Sequence, residues 1–408
     1  MSWRLFGAVT ALVLSVTAAI AAPVGEFTDH RDIGRPRHAG NATYDAATRT
    51  YRVTGGGQNM WAARDDFHYA YKQMSGDFRA TVDLKFTSPT PKEGAPGFLH
   101  RKGGIVVRQD LDTDSAYVDV LRMGNEQMSI QYRETKGGLT HLIWINTPRQ
   151  STVRMEKLGD YFYISVLDRN GRLQRAGGSF KVRLTGPYYF GLGVCPHDDG
   201  ITETMEFANL RIEPGRPAAF PKQFTLQTMR VVNQVEQIAF VAAPSLTDVA
   251  WSADGKYLTY RSGGASWRVS SDVDTPAAPE KIAAPDAGPR ANAAWIYYSD
   301  AKTGKLWRVR ANGSDRTQVT TDAATRDFSP HVSPDGRWVV YAAAPANLPA
   351  GRDSDLEIRL IPVGANGVPN VAGTLLAAKS FGGAATLASN PWSPNSGSFA
   401  FVSVEPGR

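Results

Sequence analysis

The first half of the chain is built from short stretches in which apolar and polar residues alternate. Residues Phe78 to Phe86 read FRATVDLKF, and residues Tyr161 to Leu167 read YFYISVL. A period of two places successive side chains on opposite faces of a β-strand, whereas an amphipathic helix repeats its apolar residues every three to four positions. Glycine, asparagine and aspartate separate the stretches, as they do in hairpin turns. The pattern predicts an antiparallel two-sheet β-sandwich over residues 22–214.

Three prolines mark the end of this pattern. Pro214, Pro217 and Pro221 fall close together, and proline both interrupts sheet pairing and stiffens a connection between domains. We therefore predict a linker over residues 215–223 and a second domain over residues 224–408.

The second domain repeats one short unit, an apolar run, a tight turn and a second apolar run. Residues 250–260 read AWSADGKYLTY, residues 331–341 read HVSPDGRWVVY, and residues 390–401 repeat the unit more faintly. Aspartate in such a turn bonds the backbone, and glycine accepts a positive φ. We assign these structural roles to Asp254, Gly255, Asp335 and Gly336. At roughly 40 to 45 residues a blade, the domain has room for about four or five blades of a β-propeller.

Motifs in both halves resemble known bacterial domains. In the first half they are Phe27 to Gly34, Asn59 to Trp61, Gly104 to Arg108, Gln131 to Arg133 and Gly191 to His197. Together they make this half similar to concanavalin A-like jelly-roll domains of unassigned activity. The repeated turn makes the second half resemble the TolB-like propellers, which are relatives of the WD-type repeats. TolB-like propellers usually have six blades. The segment from Lys281 to Ala293 lacks the expected turn, which favours a shortened and incomplete ring.

The N-terminus has the pattern of a secretory signal peptide. Arg4 precedes an apolar run from Leu5 to Ala19, and Ala19-Ile20-Ala21 supplies small residues for cleavage. We predict a signal peptide over residues 1–21 and a periplasmic or secreted product. The chain has a single cysteine, Cys195, so no internal disulfide can form and no cysteine follows the cleavage site to carry a lipid.

Several classes of function find no support in the sequence. The net charge is +6 without a block of basic residues, so we expect no nucleic-acid partner and no stable membrane insertion. Nucleophile-elbow, zinc and phosphate-loop motifs are missing, so we predict no cofactor and no metal. The run Asp110-Leu-Asp112-Thr-Asp114 opens like a calcium loop but lacks its later ligands, and an acidic hairpin turn is favoured. Glu203 and Glu206 are predicted to face solvent.

Alternation also predicts one polar surface made by several strands of the sandwich. If the apolar residues of these strands face the other sheet, a set of polar and aromatic residues shares the opposite face. The candidate ligand-binding residues are Arg108, Tyr117, Asp119, Gln131, Arg133 and His197. Arg108 and Asp119 are expected to pair, and a sugar could bind to such a face. The alternative is a solvated face with ordinary ion pairs between strands.

These patterns favour an exported binding protein without catalytic activity. The sandwich would bind a ligand, most plausibly a glycan, and the propeller would bind an envelope protein. A carbohydrate-active enzyme is the rival hypothesis, with Asp119, His197 and Asp65 or Asp66 as candidate acids and bases. A purely structural envelope scaffold is the third. An incomplete ring would also expose strand edges and favour self-association.

Overall fold

The structure is a computed structural model dominated by β-strands. It describes residues 23–146, 151–167, 171–218, 221–272, 277–285, 294–349, 352–387 and 390–405. The predicted signal peptide lies outside the described residues. Within them, helical structure is confined to α1 (Pro96–His100) and a 3₁₀ turn (Val371–Gly373). The predicted all-β fold is therefore confirmed.

The first domain is a sandwich of two antiparallel sheets. Its strands are β1 (Asp29–Ile33), β2 (Asn41–Asp45), β3 (Thr50–Gly55), β4 (Asn59–Trp61), β5 (Arg64–Met74), β6 (Phe78–Phe86), β7 (Lys102–Arg108), β8 (Tyr117–Met123), β9 (Met128–Arg133), β10 (His141–Ile145), β11 (Thr152–Leu158), β12 (Tyr161–Leu167), β13 (Leu173–Lys181), β14 (Tyr188–Cys195) and β15 (Glu203–Pro214). One sheet has the order β13-β12-β11-β6-β15-β3-β2, and the other runs β1-β5-β14-β7-β8-β9-β10.

The core of the sandwich follows the alternation in the sequence. In β6, Phe78, Ala80, Val82 and Leu84 point into the core, and the residues between them point outward. The facing sheet contributes alternate residues of β7, β8, β9 and β14 in the same way. This burial of apolar area is the main stabilising contribution in a domain whose single cysteine is free.

The second domain consists of three small sheets and of three strands that continue the larger sheet of the sandwich. Its strands are β16 (Phe224–Arg230), β17 (Glu236–Ala243), β18 (Thr247–Trp251), β19 (Tyr257–Ser262), β20 (Ala265–Ser270), β21 (Glu280–Ile282), β22 (Trp295–Asp300), β23 (Lys305–Arg310), β24 (Thr317–Gln318), β25 (Thr325–Val332), β26 (Trp338–Pro345), β27 (Ser354–Pro362), β28 (Leu375–Gly382) and β29 (Ser398–Val404). We call β18–β21 blade 1, β22–β24 blade 2 and β25–β28 blade 3, and the three strands β16, β17 and β29 the closing blade.

The two domains share one continuous sheet. Strand β10 of the sandwich pairs in parallel with β17, and Leu142 lies opposite Glu236. Strand β16 then pairs with both β17 and the C-terminal strand β29. The closing blade therefore joins the beginning and the end of the second domain to the edge of the sandwich.

Packing between the blades forms an arc. Apolar clusters join blade 2 to blade 3, blade 3 to the closing blade, and the closing blade to blade 1. Within the described ranges, no such cluster joins blade 1 to blade 2. The connection between blade 1 and blade 2 includes residues 286–293. Most of the segment 281–293, which lacks the repeated turn, therefore lies outside the described residues.

The same turn geometry occurs three times in the second domain. In one copy the Ser333 hydroxyl donates to Asp335 Oδ1 at 2.6 Å, and the backbone N–H of Arg337 donates to the same oxygen at 3.0 Å. Ser252 with Asp254 repeats these contacts, and Ser393 repeats them with Asn395. The third copy shows that an amide oxygen can replace the carboxylate.

Candidate functional site

Five of the predicted ligand-binding residues share one face of the larger sheet, but the face is closed. Arg108, Tyr117, Asp119, Gln131 and Arg133 lie on β7, β8 and β9 with their side chains away from the sandwich core, and all are 0–1% exposed. The expectation of an open ligand surface on this face is therefore wrong. The cause is a segment distant in sequence: the hairpin of β4 and β5 folds back over the face.

Asp65 enters from this hairpin and binds both arginines. Its Oδ2 lies 2.6 Å from Arg108 Nη1 and its Oδ1 lies 2.9 Å from Arg133 Nη2, with all three side chains fully buried. Arg133 also donates to the backbone carbonyl of Ala62, and its guanidinium lies 4.9 Å from the centre of the Tyr117 ring. The predicted pair of Arg108 with Asp119 is wrong. Asp65, which the hairpin of β4 and β5 brings within 2.6 Å of Arg108 Nη1, takes the place of Asp119.

Asp119 instead lies near a buried lysine. Its Oδ1 accepts the backbone N–H of Gln131 at 2.8 Å, and Lys102 Nζ donates to Asn59 Oδ1 at 2.7 Å. Desolvation raises the pKa of Asp119 well above its ordinary value and lowers the pKa of Lys102. The carboxylates of Asp65 and Asp119 are both fully buried. They therefore do not form the open pair of carboxylates that the enzyme hypothesis requires.

His197 lies apart from these residues, just after β14. Its φ is +60°, its side chain is half-buried, and its ring lies 4.9 Å from that of His100. Burial lowers the pKa of His197 to about 4, with further lowering by Lys102 and His100. The ring is therefore neutral at pH 7, and the structure does not bring it together with the other five candidates.

Two acidic segments have structural partners. Lys136 Nζ lies among the three carboxylates of the Asp110 to Asp114 turn, at 3.3, 2.6 and 2.8 Å, so an ammonium group occupies the centre of the turn. Glu203 is buried and binds Arg101 Nη1 at 2.9 Å, so its predicted exposure is wrong. Glu206 is partly exposed and pairs with Arg52 and Lys85.

An open cleft lies where the sandwich meets blade 3. Its volume is about 340 Å³. The sandwich supplies residues of β9, β12 and β13, and blade 3 supplies residues of all four of its strands. The aromatic and charged side chains of its lining are Tyr132, Glu134, Tyr161, Phe180, Lys181, Asp355, Glu357, Arg359, Lys379 and Phe381.

Aromatic rings from both domains form part of the cleft wall. Tyr132 stacks on Phe180 with ring centres 5.1 Å apart and an angle of 22° between the planes. Tyr161 meets Phe381 edge to face with centres 6.2 Å apart. Such rings present flat apolar surface together with polar edges, which suits a ligand that is itself amphipathic.

Each carboxylate in the cleft has a cationic partner. Asp355 accepts a hydrogen bond from the Tyr161 hydroxyl and lies 3.0 Å from Lys181 Nζ. Glu134 pairs with Lys379, and Glu357 pairs with Arg359 at 2.7 Å. Burial and the contact with Asp355 raise the pKa of Tyr161, so this hydroxyl remains a donor. Three carboxylates and three cations leave the cleft without a large net charge.

Sequence reasoning missed this cleft. Its residues come from positions 132 to 181 and 324 to 381, and neither stretch has a motif that points toward the other. The pairing of β10 with β17 and the ion pairs of Lys181 with Asp355 and of Glu134 with Lys379 bring them together. The single local signal was the alternation in β27, which places Asp355, Glu357 and Arg359 on one face.

The described residues lack two further features. No helix among them is both long and apolar enough to cross a membrane. They also contain no group of three or more histidine, cysteine, aspartate or glutamate side chains arranged to hold a metal ion.

Comparison with known proteins gives partial similarities. No family model matches the chain. An uncharacterized protein of Agrobacterium fabrum is 29% identical over 228 residues, which cover 52% of this chain and 71% of that protein. A "putative TolB" from Agrobacterium tumefaciens is 18% identical and covers 75% of this chain and 99% of its own, with a TM-score of 0.26. A legume lectin-like domain from Entamoeba histolytica is 11% identical and covers 46% and 90%, with a TM-score of 0.28. The structural neighbours thus include both a TolB-type and a lectin-like protein.

Proposed function

We propose that the protein is an exported glycan-binding protein without catalytic activity, and that the glycan binds in the cleft between the sandwich and blade 3. The observation that carries the proposal is the combination of aromatic rings and paired charges from two domains around one open volume. The proposed ligand site therefore lies at the edge of the sandwich and not on the face that the sequence predicted.

The balance of charge in the cleft favours an uncharged ligand. Each carboxylate already has a cation beside it, so an anionic or cationic ligand would have to displace a partner. Sugar hydroxyls can accept from Lys181 or Lys379 and donate to Asp355 or Glu357 without breaking these pairs. The apolar faces of a sugar ring can lie against Tyr161 and Phe381.

A binding measurement on the mature full-length chain tests the proposal. We expect wild type to bind a subset of an array of uncharged oligosaccharides, and Tyr161→Ala to lose about tenfold in affinity by titration calorimetry, equivalent to about 1.4 kcal/mol. Tyr44→Ala is the matched control, because Tyr44 is a partly exposed tyrosine on β2, near the opposite edge of the same sheet. This control variant should bind like wild type.

Three outcomes would contradict parts of the proposal. Absence of binding by wild type would argue for the structural scaffold, and equal binding by Tyr161→Ala would place the ligand elsewhere. Release of new reducing ends from a bound oligosaccharide would show catalysis. Export is proposed from the signal-peptide pattern of residues 1–21, and recovery of the uncleaved chain from the cytoplasm would contradict it.

The propeller is proposed to present the protein-interaction surface. Its blades are held by interfaces of apolar side chains, and its turns and outer strands are free to contact an envelope protein.

A further inference from the structure

A second cavity adjoins the cleft between the sandwich and blade 3. Its volume is about 170 Å³, and its walls are the loop that joins β9 to β10 and the first half of β28. Tyr132, Glu134 and Lys379 line both the cleft and this second cavity. The two volumes therefore meet at these three residues and form one groove between the sandwich and blade 3.

A β-bulge makes the blade 3 wall of this groove continuous. Lys379 of β28 lies opposite Glu357 of β27, so their side chains share a face. Leu376 is three positions before Lys379, and regular alternation would place it on the other face. The register shifts between these two positions, so that Leu376 lies opposite Arg359. The bulge thus brings Leu376 onto the face that lines the cleft.

This face is long enough to contact a ligand in both volumes at once. Asp355 and Arg359 both line the cleft and lie four residues apart on β27. At about 3.3 Å per residue, this part of the face extends over about 13 Å. A ligand that follows the strand direction therefore passes from the cleft into the second cavity.

The second cavity combines exposed leucines with groups that carry no unpaired charge. Leu139 on the sandwich side is 64% exposed, and Leu376 on the blade side is 46% exposed. Apolar side chains that are exposed around one concave volume are typical of a binding site. Burial lowers the pKa of His141, which also lines the cavity, so this ring is neutral at pH 7. Glu134 and Lys379 pair with each other, and the cavity therefore suits an uncharged ligand, as the cleft does.

We propose that the glycan is a linear oligosaccharide that occupies both volumes, with one end against Tyr161 and Phe381 and the other against Leu139 and Leu376. This inference rests on the proposed glycan-binding function and divides its site into two adjoining subsites. The continuity of the groove carries it, because the same two strands of blade 3 line both volumes and the sandwich supplies the opposite wall of each.

An ion pair joins the two walls where the subsites meet. Glu134 and Lys379 form this pair, with 26% and 51% of their side chains exposed. An ammonium group has three donors, and a carboxylate can accept several hydrogen bonds. Both groups can therefore bond to hydroxyls of a sugar chain that crosses from one subsite to the other while they remain paired.

Titration calorimetry on the mature full-length chain tests the proposal. The probes are malto-, cello-, xylo- and manno-oligosaccharides, each from the disaccharide to the hexasaccharide. We expect at least one series to bind, with an affinity about tenfold higher for the hexasaccharide than for the disaccharide. Leu139→Asp should lose this gain and bind the disaccharide as wild type does. Tyr161→Ala should weaken the binding of both lengths by the same factor.

Val232→Asp is the matched control, because Val232 is 90% exposed in the turn between β16 and β17 and lines neither volume. It should keep the full gain with length, and circular dichroism and thermal unfolding verify that each variant is folded. Equal affinity of wild type for both lengths would overturn the two subsites and leave the glycan-binding function in place. So would a Leu139→Asp variant that keeps the gain or that loses affinity equally for both lengths. Absence of binding in every series would overturn both proposals.

Discussion

In the sandwich, Asp65 lies fully buried between two arginines, whereas in the propeller Asp335 lies at a hairpin turn with 38% of its side chain exposed. Asp65 binds two guanidinium groups, and Asp335 binds one hydroxyl and one backbone N–H. The sandwich also buries Glu203 against Arg101. At these two sites the same residue type acts differently: Asp65 fixes a closed face with ion pairs, and Asp335 fixes a local turn with hydrogen bonds.

The difference predicts where removal of a carboxylate should lower the free energy of unfolding most. A buried ion pair need not stabilise a protein relative to apolar residues, but removal of one partner leaves the other charge buried without compensation. When a turn carboxylate near the surface is removed, water can accept the hydrogen bonds that it accepted. Loss of the buried Asp65 should therefore have a much larger effect on stability than loss of Asp335 in its turn.

Asp65→Asn should have the largest effect on stability. It keeps the size of the side chain but leaves Arg108 and Arg133 without a buried anion, so we expect the free energy of unfolding to fall by about 3–5 kcal/mol. Chemical denaturation measures this loss. Asp112→Asn is the control, since Asp112 pairs with Lys136 at 2.6 Å but is 72% exposed, and it should cost at most about 1 kcal/mol. Equal losses in the two variants would show that burial does not set the cost.

Asp335→Ala should have a smaller effect. It removes an oxygen that accepts two hydrogen bonds within the turn, and we expect a loss of about 1 kcal/mol. Thermal unfolding of the full chain should detect it as a lower Tm, with glycan binding unchanged.

The chain itself supplies the control for this turn. Asn395 makes the equivalent contacts in the third copy, with Ser393 at 2.8 Å and Gly397 N at 3.0 Å. Asp335→Asn should therefore retain most of the stability that Asp335→Ala loses. If both variants unfold like wild type, the turn carboxylate does not stabilise the hairpin.

Alternation in the sequence predicted which side chains share a face but not what covers that face. Arg108, Asp119 and Arg133 were placed together correctly because strand period alone decides it. Their partners were not predictable, since Asp65 lies 43 positions before Arg108 and reaches it through a hairpin that folds over the sheet. Arg108 lies opposite Tyr117 in the register, and Asp119 lies opposite Val106.

The cleft was less predictable than the sheets for the same reason. The blade turns are local, so residues 250–260 and 331–341 identified two hairpins from sequence. The cleft depends on the parallel pairing of β10 with β17 and on contacts such as Tyr161 with Asp355, which are 194 positions apart. Long-range contacts of this kind arise from packing of the finished domains and leave no periodic pattern.

His197→Asn should have the smallest effect on stability at neutral pH. Its effect on stability should grow as the pH is lowered. Burial, Lys102 and His100 lower the pKa of His197 from 6.5 to about 4 in the folded chain. The unfolded chain therefore binds more protons between these values, and stability falls as the pH is lowered from about 6.5 to about 4. Asparagine cannot be protonated there and tolerates the φ of +60°.

The variant should be as stable as wild type at pH 7 and become progressively more stable than wild type as the pH is lowered. Tm measured against pH tests this, with His38→Asn, an exposed histidine, as control. An acid dependence equal to that of wild type would contradict the lowered pKa of His197 in the folded chain.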